Sequence, residues 1–350
     1  MSSDNDILNA SIISHRNNMN LVRYYLAFIV VVSHFNYVFN TQFFLPTSSY
    51  DAVGGFFALS GFLVYGSYSR YAGTPGALWR YVKARARRIL PPYLTIVLTC
   101  ALGLVCLSSL APADYFSSVD FWKYVAANLT FLNFLHPALP GVFDGTAVNG
   151  SLWTLKVEWM LYLSVPIVVL LLRRCSRHVW QLLLAIVIVS MIYRYWMSLL
   201  YQTTEREIYN ILSRQFFGQL TYFYVGVAIR LYLERFMRWK HWLAAVSLAL
   251  MCVPCEVLWY HIAVQPVAVS ILAMYVSIGL KPLALSSRLP NISYSIYLFH
   301  LPIMLVLRET MTSHIANVYL MFALSVAMIL VMAMLSWRYI ESYFYHPTTK

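Results

Sequence analysis

The sequence predicts an all-α integral membrane protein of about ten transmembrane helices with both termini cytoplasmic. Three observations carry this expectation. Of 350 residues, 60% are hydrophobic and 11% charged, against roughly a quarter charged in a soluble domain, and the mean hydropathy is +0.64. The apolar residues gather into runs close to the ~20 residues a helix needs to cross the hydrocarbon. The 25 Lys and Arg, against 13 Asp and Glu, cluster between those runs on alternate sides, as positive-inside loops do. A soluble enzyme, a disordered chain and a disulfide scaffold are excluded. The pI near 9.5 reflects cationic loops, not a nucleic-acid partner.

The first run, 20–38, carries Arg23 and His34 and is not followed by a small-residue cleavage signal, so it reads as a retained span and not a signal peptide. The second, 52–69, mixes Gly, Ser and aromatic residues. The third, 89–110, opens on Pro91-Pro92-Tyr93, and the fourth, 151–172, contains Glu158. Spans at 180–199, 215–232, 241–259, 262–280, 292–309 and 315–337 complete the ten. Almost no loop separates Trp259 from Ile262. The aromatic, apolar stretch 121–136 is too short to cross and reads as a re-entrant or interfacial helix.

With the N-terminus inside, segments 70–88, 173–177, 230–240 and 281–288 place their Lys and Arg in the cytoplasm. The outer side holds only Lys123, Arg194, Arg206, Arg214 and Arg308. Loops are short apart from 70–88 and 111–150. The expected organisation is a cytoplasmic tail at 1–19, one membrane domain at 20–338 and a cytoplasmic tail at 339–350. Cys252 and Cys255 have a metal-like spacing, but no second pair completes a four-ligand site, so no metal is expected.

Ionisable groups inside a span are costly and mark candidate sites. Arg23 and His34 are eleven residues apart. Eleven steps of a helix return to within about 20° of the same face with a rise of about 16 Å, so the two share a face, Arg23 at the cytoplasmic mouth and His34 near mid-membrane. Glu158 lies about two turns into its span. His300 follows Tyr297 by three residues and precedes Pro302. For each, a hydrogen-bonded core role competes with a site role. Arg85 and Arg88 are one turn apart at the membrane surface, a spacing suited to gripping phosphates jointly.

Together these residues resemble the membrane-bound acyltransferase-3 family, whose members O-acetylate bacterial surface polysaccharides, O-antigens and Nod factors. The resemblance covers nearly the whole chain. It rests on Arg23 and His34 (Arg-x10-His), Phe56, Phe57, Ser60, Gly61 and Phe62 (Phe-Phe-x-x-Ser-Gly-Phe), and Arg85 and Arg88 followed by Pro91 and Tyr93. It rests further on Ser151, Leu152, Trp153, Leu155 and Glu158, and on Ser293, Tyr294, Tyr297, His300 and Pro302. There are departures. Gly54 stands where relatives often have Asp, so that carboxylate's role has no holder. Lys156 replaces a small polar residue and is expected to neutralise a neighbouring acid or alter acceptor choice. The chain is similar to the stand-alone type without a fused esterase-like domain.

The resemblance implies an O-acetyltransferase of the bacterial inner membrane. Cytoplasmic acetyl-CoA would be the donor, and a hydroxyl of a lipid-linked or surface glycan the acceptor. Membrane lipid and polysaccharide assembly machinery are further implied partners. It implies His34 as base or relay, Arg23 placing it or the donor, Arg85 and Arg88 on the CoA phosphates, Glu158 orienting His34 or the acceptor, and His300 as a secondary catalytic candidate. Succinyl transfer, a transporter and a non-enzymatic export subunit remain as alternatives.

Overall fold

The computed structural model describes residues 17–345, and no strand occurs among them. The helices are α1 Met19–Phe39, α2 Ser49–Ser69, α3 Ala77–Gly103, α4 Pro112–Ser117, α5 Val119–Leu129, α6 Trp153–Arg174 and α7 Val179–Thr204. They continue with α8 Glu207–Ser213, α9 Phe216–Leu231, α10 Leu233–Met251, α11 Gln265–Met274, α12 Ala284–Arg288, α13 Ser293–Met311, α14 Val318–Ser336 and α15 Ser342–Tyr345. Wider π-turns flank α11 and follow α14.

All ten expected segments contain helix, but among the described residues six stretches are long and apolar enough to cross a membrane by themselves. These are Met19–Phe39, Ala77–Leu107, Gly150–Arg174, Ser176–Thr204, Tyr260–Gly279 and Val318–Phe344. The other four segments correspond to α2, α9, α10 and α13. Helix α9 spans 16 residues, and α10 opens on Glu234, Arg235, Arg238 and Lys240. Helices α2 and α13 carry polar side chains but are buried along most of their length. A helix enclosed by protein can satisfy such groups internally, whereas one facing lipid cannot. The complementary case is α7, which buries only Leu183 and Ser190 and turns Trp180, Leu184, Ile188, Ile192 and Trp196 outward. The protein is a membrane protein with multiple apolar helices.

Three boundaries differ from expectation. The segment 70–88 is not a loop throughout, because α3 begins at Ala77 and runs through the cationic cluster. The seventh segment lies eight residues earlier than 241–259: α10 starts at Leu233 and ends at Met251, just before Pro254, which cannot continue a helix. The stretch 121–136 is helical only as α5, Val119–Leu129, and the chain then turns through Phe131 at φ 59°.

The chain divides into two compact units. One comprises Met1–Leu26, Thr47–Tyr81 and Val157–Pro290, the other Ala27–Pro46, Val82–Lys156 and Asn291–Lys350. In the first, α2 packs directly on α9. A Cβ on Gly61 would strike the carbonyl oxygen of Phe223, and one on Gly226 that of Ala58, so the two backbones approach to a distance that only glycine permits. In the second, α13 packs on α14. There Phe35 meets Phe43 and Phe322 at ring separations of 5.5 and 5.0 Å.

Proline inside a helix removes the N–H that residue i−4 would use, and in each unit a side chain replaces it. Pro166 leaves the carbonyl of Tyr162 without its helical donor, and the Tyr81 hydroxyl donates to it at 2.7 Å. Pro302 does the same to Leu298, and the Asn149 amide donates there at 2.9 Å. Ser151 Oγ holds Asn149 in place at 2.6 Å.

Candidate functional site

His34, on the second half of α1, meets His300 of α13 within one unit. Its Nδ1 lies 2.9 Å from the carbonyl oxygen of Val30 and 3.2 Å from Nε2 of His300. The ring centroids are 4.8 Å apart. His300 is fully buried, and its own Nδ1 lies 2.6 Å from the carbonyl oxygen of Tyr297. A carbonyl oxygen only accepts, so these two carbonyls assign the tautomers: each neutral ring carries its hydrogen on Nδ1. His300 Nε2 is then an acceptor and shares the Nδ1–H of His34 with Val30. The Nε2 lone pair of His34 is left for other work, on a ring that is only half-buried.

Two sequence motifs hold this pair. The Tyr297 hydroxyl donates to the Ser151 carbonyl at 3.1 Å and lies 2.9 Å from Thr154 Oγ1. With Asn149 on Leu298, these bonds fix the turn at Gly150–Leu152 against the part of α13 that carries His300 and Pro302. Asn149 was missed from sequence. Its signal was available, because Pro302 guarantees an orphaned carbonyl at Leu298 that some donor must reach.

Arg23 lies half-buried on the first half of α1, and that helix is unbroken between Arg23 and His34, so the eleven-residue spacing is realised. Glu158 belongs to the other unit. It accepts hydrogen bonds from the hydroxyls of Tyr162, one turn on, and Ser60 of α2, at 3.4 Å for the latter. The partners on view are hydroxyls. Lys156 holds its Nζ 4.4 Å from the Phe134 ring centroid, so its visible role is aromatic contact.

Arg85 and Arg88 lie one turn apart on α3, both half-buried. Arg88 lines a small cleft with Arg87, Asn291, Tyr294, Trp337 and Glu341, and its charge acts on the Glu341 carboxylate. Glu341 also accepts from Ser295, and Ser336 donates to it at 3.4 Å. This acid partner lies beyond the last expected span, in the segment expected to be a tail.

Residues 16–337 match the acyltransferase-3 family, described as an acyltransferase domain. The chain belongs to this family. It is similar to "Nodulation protein 10" of Rhizobium leguminosarum bv. viciae, 29% identical over 180 residues that make up 47% of this chain and 47% of that one. It is also similar to "Protein 2 in picA locus" of Rhizobium radiobacter, 36% identical over 125 residues, 33% of this chain and 61% of that one. The chain thus spans 47% and 61% of the length of these relatives. No solved structure matches it.

Within the acyltransferase-3 frame, the departure at Gly54 has a structural reason. The Tyr222 ring occupies the space that a Gly54 side chain would fill, and the Tyr222 hydroxyl donates to a different carboxylate, Asp51, at 3.0 Å. Asp51 is 2% exposed. It also accepts from Gln265 Nε2 at 2.6 Å and from Ser48 Oγ at 2.7 Å, while Arg194 stacks on Tyr50 at 4.5 Å. A buried acid does occur beside the family's paired Phe, then, displaced by one turn. The motif places its carboxylate at position 54, so Asp51, three residues earlier, does not stand out in the sequence.

Proposed function

We propose that this protein is an O-acyltransferase that takes acetyl from cytoplasmic acetyl-CoA and transfers it to a sugar hydroxyl of a lipid-linked or surface polysaccharide. Family membership supports acyl transfer, and the resemblance of the motifs supports the donor and acceptor classes. The observation that carries the chemistry is the ordered His34–His300 pair. An attacking hydroxyl needs a base, and the free Nε2 of His34 is one.

In the proposed step, His34 Nε2 removes the acceptor's hydroxyl proton as that oxygen attacks the thioester carbonyl. The C–S bond breaks, CoA leaves as thiolate, and the imidazolium of His34 returns the proton to sulfur. Proton and acyl group are both accounted for, and the enzyme ends unchanged. While His34 is charged, its Nδ1–H is held by Val30 and by the lone pair of His300, so His300 acts as a positioning residue. Arg23 is assigned to the donor's entry, Arg85 and Arg88 to its phosphates, and Glu158 to an acceptor hydroxyl.

The topology proposed with this function has ten crossings and both termini in the cytoplasm of a bacterial inner membrane. The six self-sufficient spans would be joined by four further crossings, α2, α9, α10 and α13. Mass spectrometry of surface glycans from cells with and without the gene tests the function. One acetyl mass per modified sugar, lost with the gene and restored by the wild-type chain but not by His34→Ala, is expected. Unchanged glycans would reject it.

A further inference from the structure

A second cationic centre lies in the unit that does not contain His34. Arg230, near the end of α9, lines a cavity of about 520 Å³ together with Tyr65, Ser69, Tyr232, Glu234 and Arg235, a volume in the range of small-molecule sites. The Nη1 of Arg230 is buried and has no hydrogen-bond partner. Its guanidinium fits against α2 because residue 66 is glycine: a Cβ there would stand 2.6 Å from Arg230 Nε. Arg70 is near enough for its charge to repel that of Arg230, and the charge of Arg173 reaches the Tyr65 hydroxyl on the same wall. Arg230 and Arg235 therefore line a space whose wall contains one carboxylate, Glu234, and the charges of Arg70 and Arg173 act on that wall from nearby.

Burying an arginine donor beside like charges costs stability unless something anionic offsets it. Glu234, the carboxylate on this wall, is exposed. The ligand chemistry that fits is a phosphate ester, whose oxygens accept several guanidinium hydrogen bonds at once. On the topology proposed above, Arg70, Arg173, Arg230 and Arg235 all face the cytoplasm, where both a nucleotide and an anionic lipid headgroup are available.

We propose that Arg230, with Arg70, Arg173 and Arg235 around it, forms a phosphate-binding site distinct from the Arg85–Arg88 pair. Resting on the acyl-transfer reading, we take its ligand to be a phosphate group of the CoA donor. The site differs from Arg88's cleft in its lining: Arg88 shares its cleft with the buried Glu341, whereas the carboxylate beside Arg230 is the exposed Glu234.

The test uses the purified full-length chain in nanodiscs of neutral lipid. Binding of CoA, dephospho-CoA, pantetheine and pyrophosphate is measured for wild type, Arg230→Gln and Arg173→Gln. Arg173 is exposed, so its variant guards against a folding defect in the other. CoA affinity is expected to fall roughly 10- to 100-fold in Arg230→Gln and less in Arg173→Gln, with pantetheine binding unchanged. If wild type binds CoA and both variants bind it equally well, the site is refuted while the acyl-transfer reading stands. If wild type fails to bind CoA but binds pyrophosphate through Arg230, the phosphate site stands and the donor reading falls. A parallel series with phosphatidylglycerol in the nanodisc separates the sources: retention of that lipid by wild type alone, without an Arg230 effect on CoA, assigns the site to a headgroup and overturns the donor assignment.

Discussion

His300 Nε2 stands 3.2 Å from His34 Nδ1, and backbone carbonyls beneath both rings make the first an acceptor and the second a donor. The pair is therefore asymmetric, and on the proposed mechanism the base lies on one side and its support on the other. Losing a general base typically costs about 10²–10⁴ in rate, so His34→Ala should nearly abolish transfer with donor affinity little changed. His300→Phe removes one hydrogen bond to the base, and a loss of roughly tenfold in kcat is expected. The decisive measurement is the double variant. Because His300 acts only through His34, adding His300→Phe to His34→Ala should cost no further activity. Independent, additive losses would give His300 a role of its own.

Asn149 and Pro302 should be coupled in stability. Asn149→Ala leaves the Leu298 carbonyl unsatisfied in a buried setting, at a cost of about 1–3 kcal/mol. Pro302→Ala restores a backbone N–H that can reach the same carbonyl, so in that background the Asn149 change should be nearly silent. Tyr81→Phe should couple with Pro166→Ala for the same reason. Thermal unfolding in detergent reads both cycles, and equal losses from Asn149→Ala with and without Pro302 would remove the explanation.

Most of the helical plan was legible because apolar runs of membrane length have few alternatives, and Arg23, His34 and His300 were visible as costly residues inside them. What pattern could not supply was who meets whom. Tyr297, Ser151 and Thr154 come together across long sequence separations, and Glu341 reaches Ser295 from a segment read as a tail. The boundaries of α10 failed for a different reason. Its first turns mix Trp and Phe with Arg and Lys, so hydropathy placed the helix too late. Asp51 was not legible because it lies one turn away from the motif position, on the same helix, and only packing brings Tyr222 to it.

Gly61 and Gly226 should tolerate no side chain. An added Cβ at either meets a carbonyl oxygen of the facing helix, and a backbone atom cannot move aside by changing rotamer. Gly61→Ala or Gly226→Ala should destabilise by about 1–3 kcal/mol, with lower yield of folded protein in membranes. Alanine at Gly103, where nothing lies within 4 Å, is the matched control and should be neutral. Wild-type stability in both close-contact variants would contradict the packing of α2 on α9.

Glu158→Gln keeps the size of the side chain and an oxygen able to accept from Ser60 and Tyr162, so insertion and folding should survive. The carboxyl group is lost, and with it the proposed hold on an acceptor hydroxyl. Transfer to glycan should fall sharply while CoA affinity is maintained, and full activity would return Glu158 to a structural role.

Arg88 has two candidate partners, and one pair of variants tells them apart. Glu341 is 9% exposed and lies within the field of Arg88. Arg88→Gln therefore strands a buried carboxylate as well as removing a cation from the donor's proposed phosphate site. Breaking a buried pair from one side is strongly destabilising, while neutralising both sides is far milder. The Arg88→Gln, Glu341→Gln double variant should thus recover stability relative to Arg88→Gln alone. If Arg88 also holds phosphate, that double variant will be stable yet bind CoA roughly tenfold or more weakly. If stability and CoA affinity recover together, Arg88 serves the fold and the donor's phosphates are held elsewhere. Arg85→Gln, measured beside it, shows whether the second arginine of the motif behaves as its partner or alone.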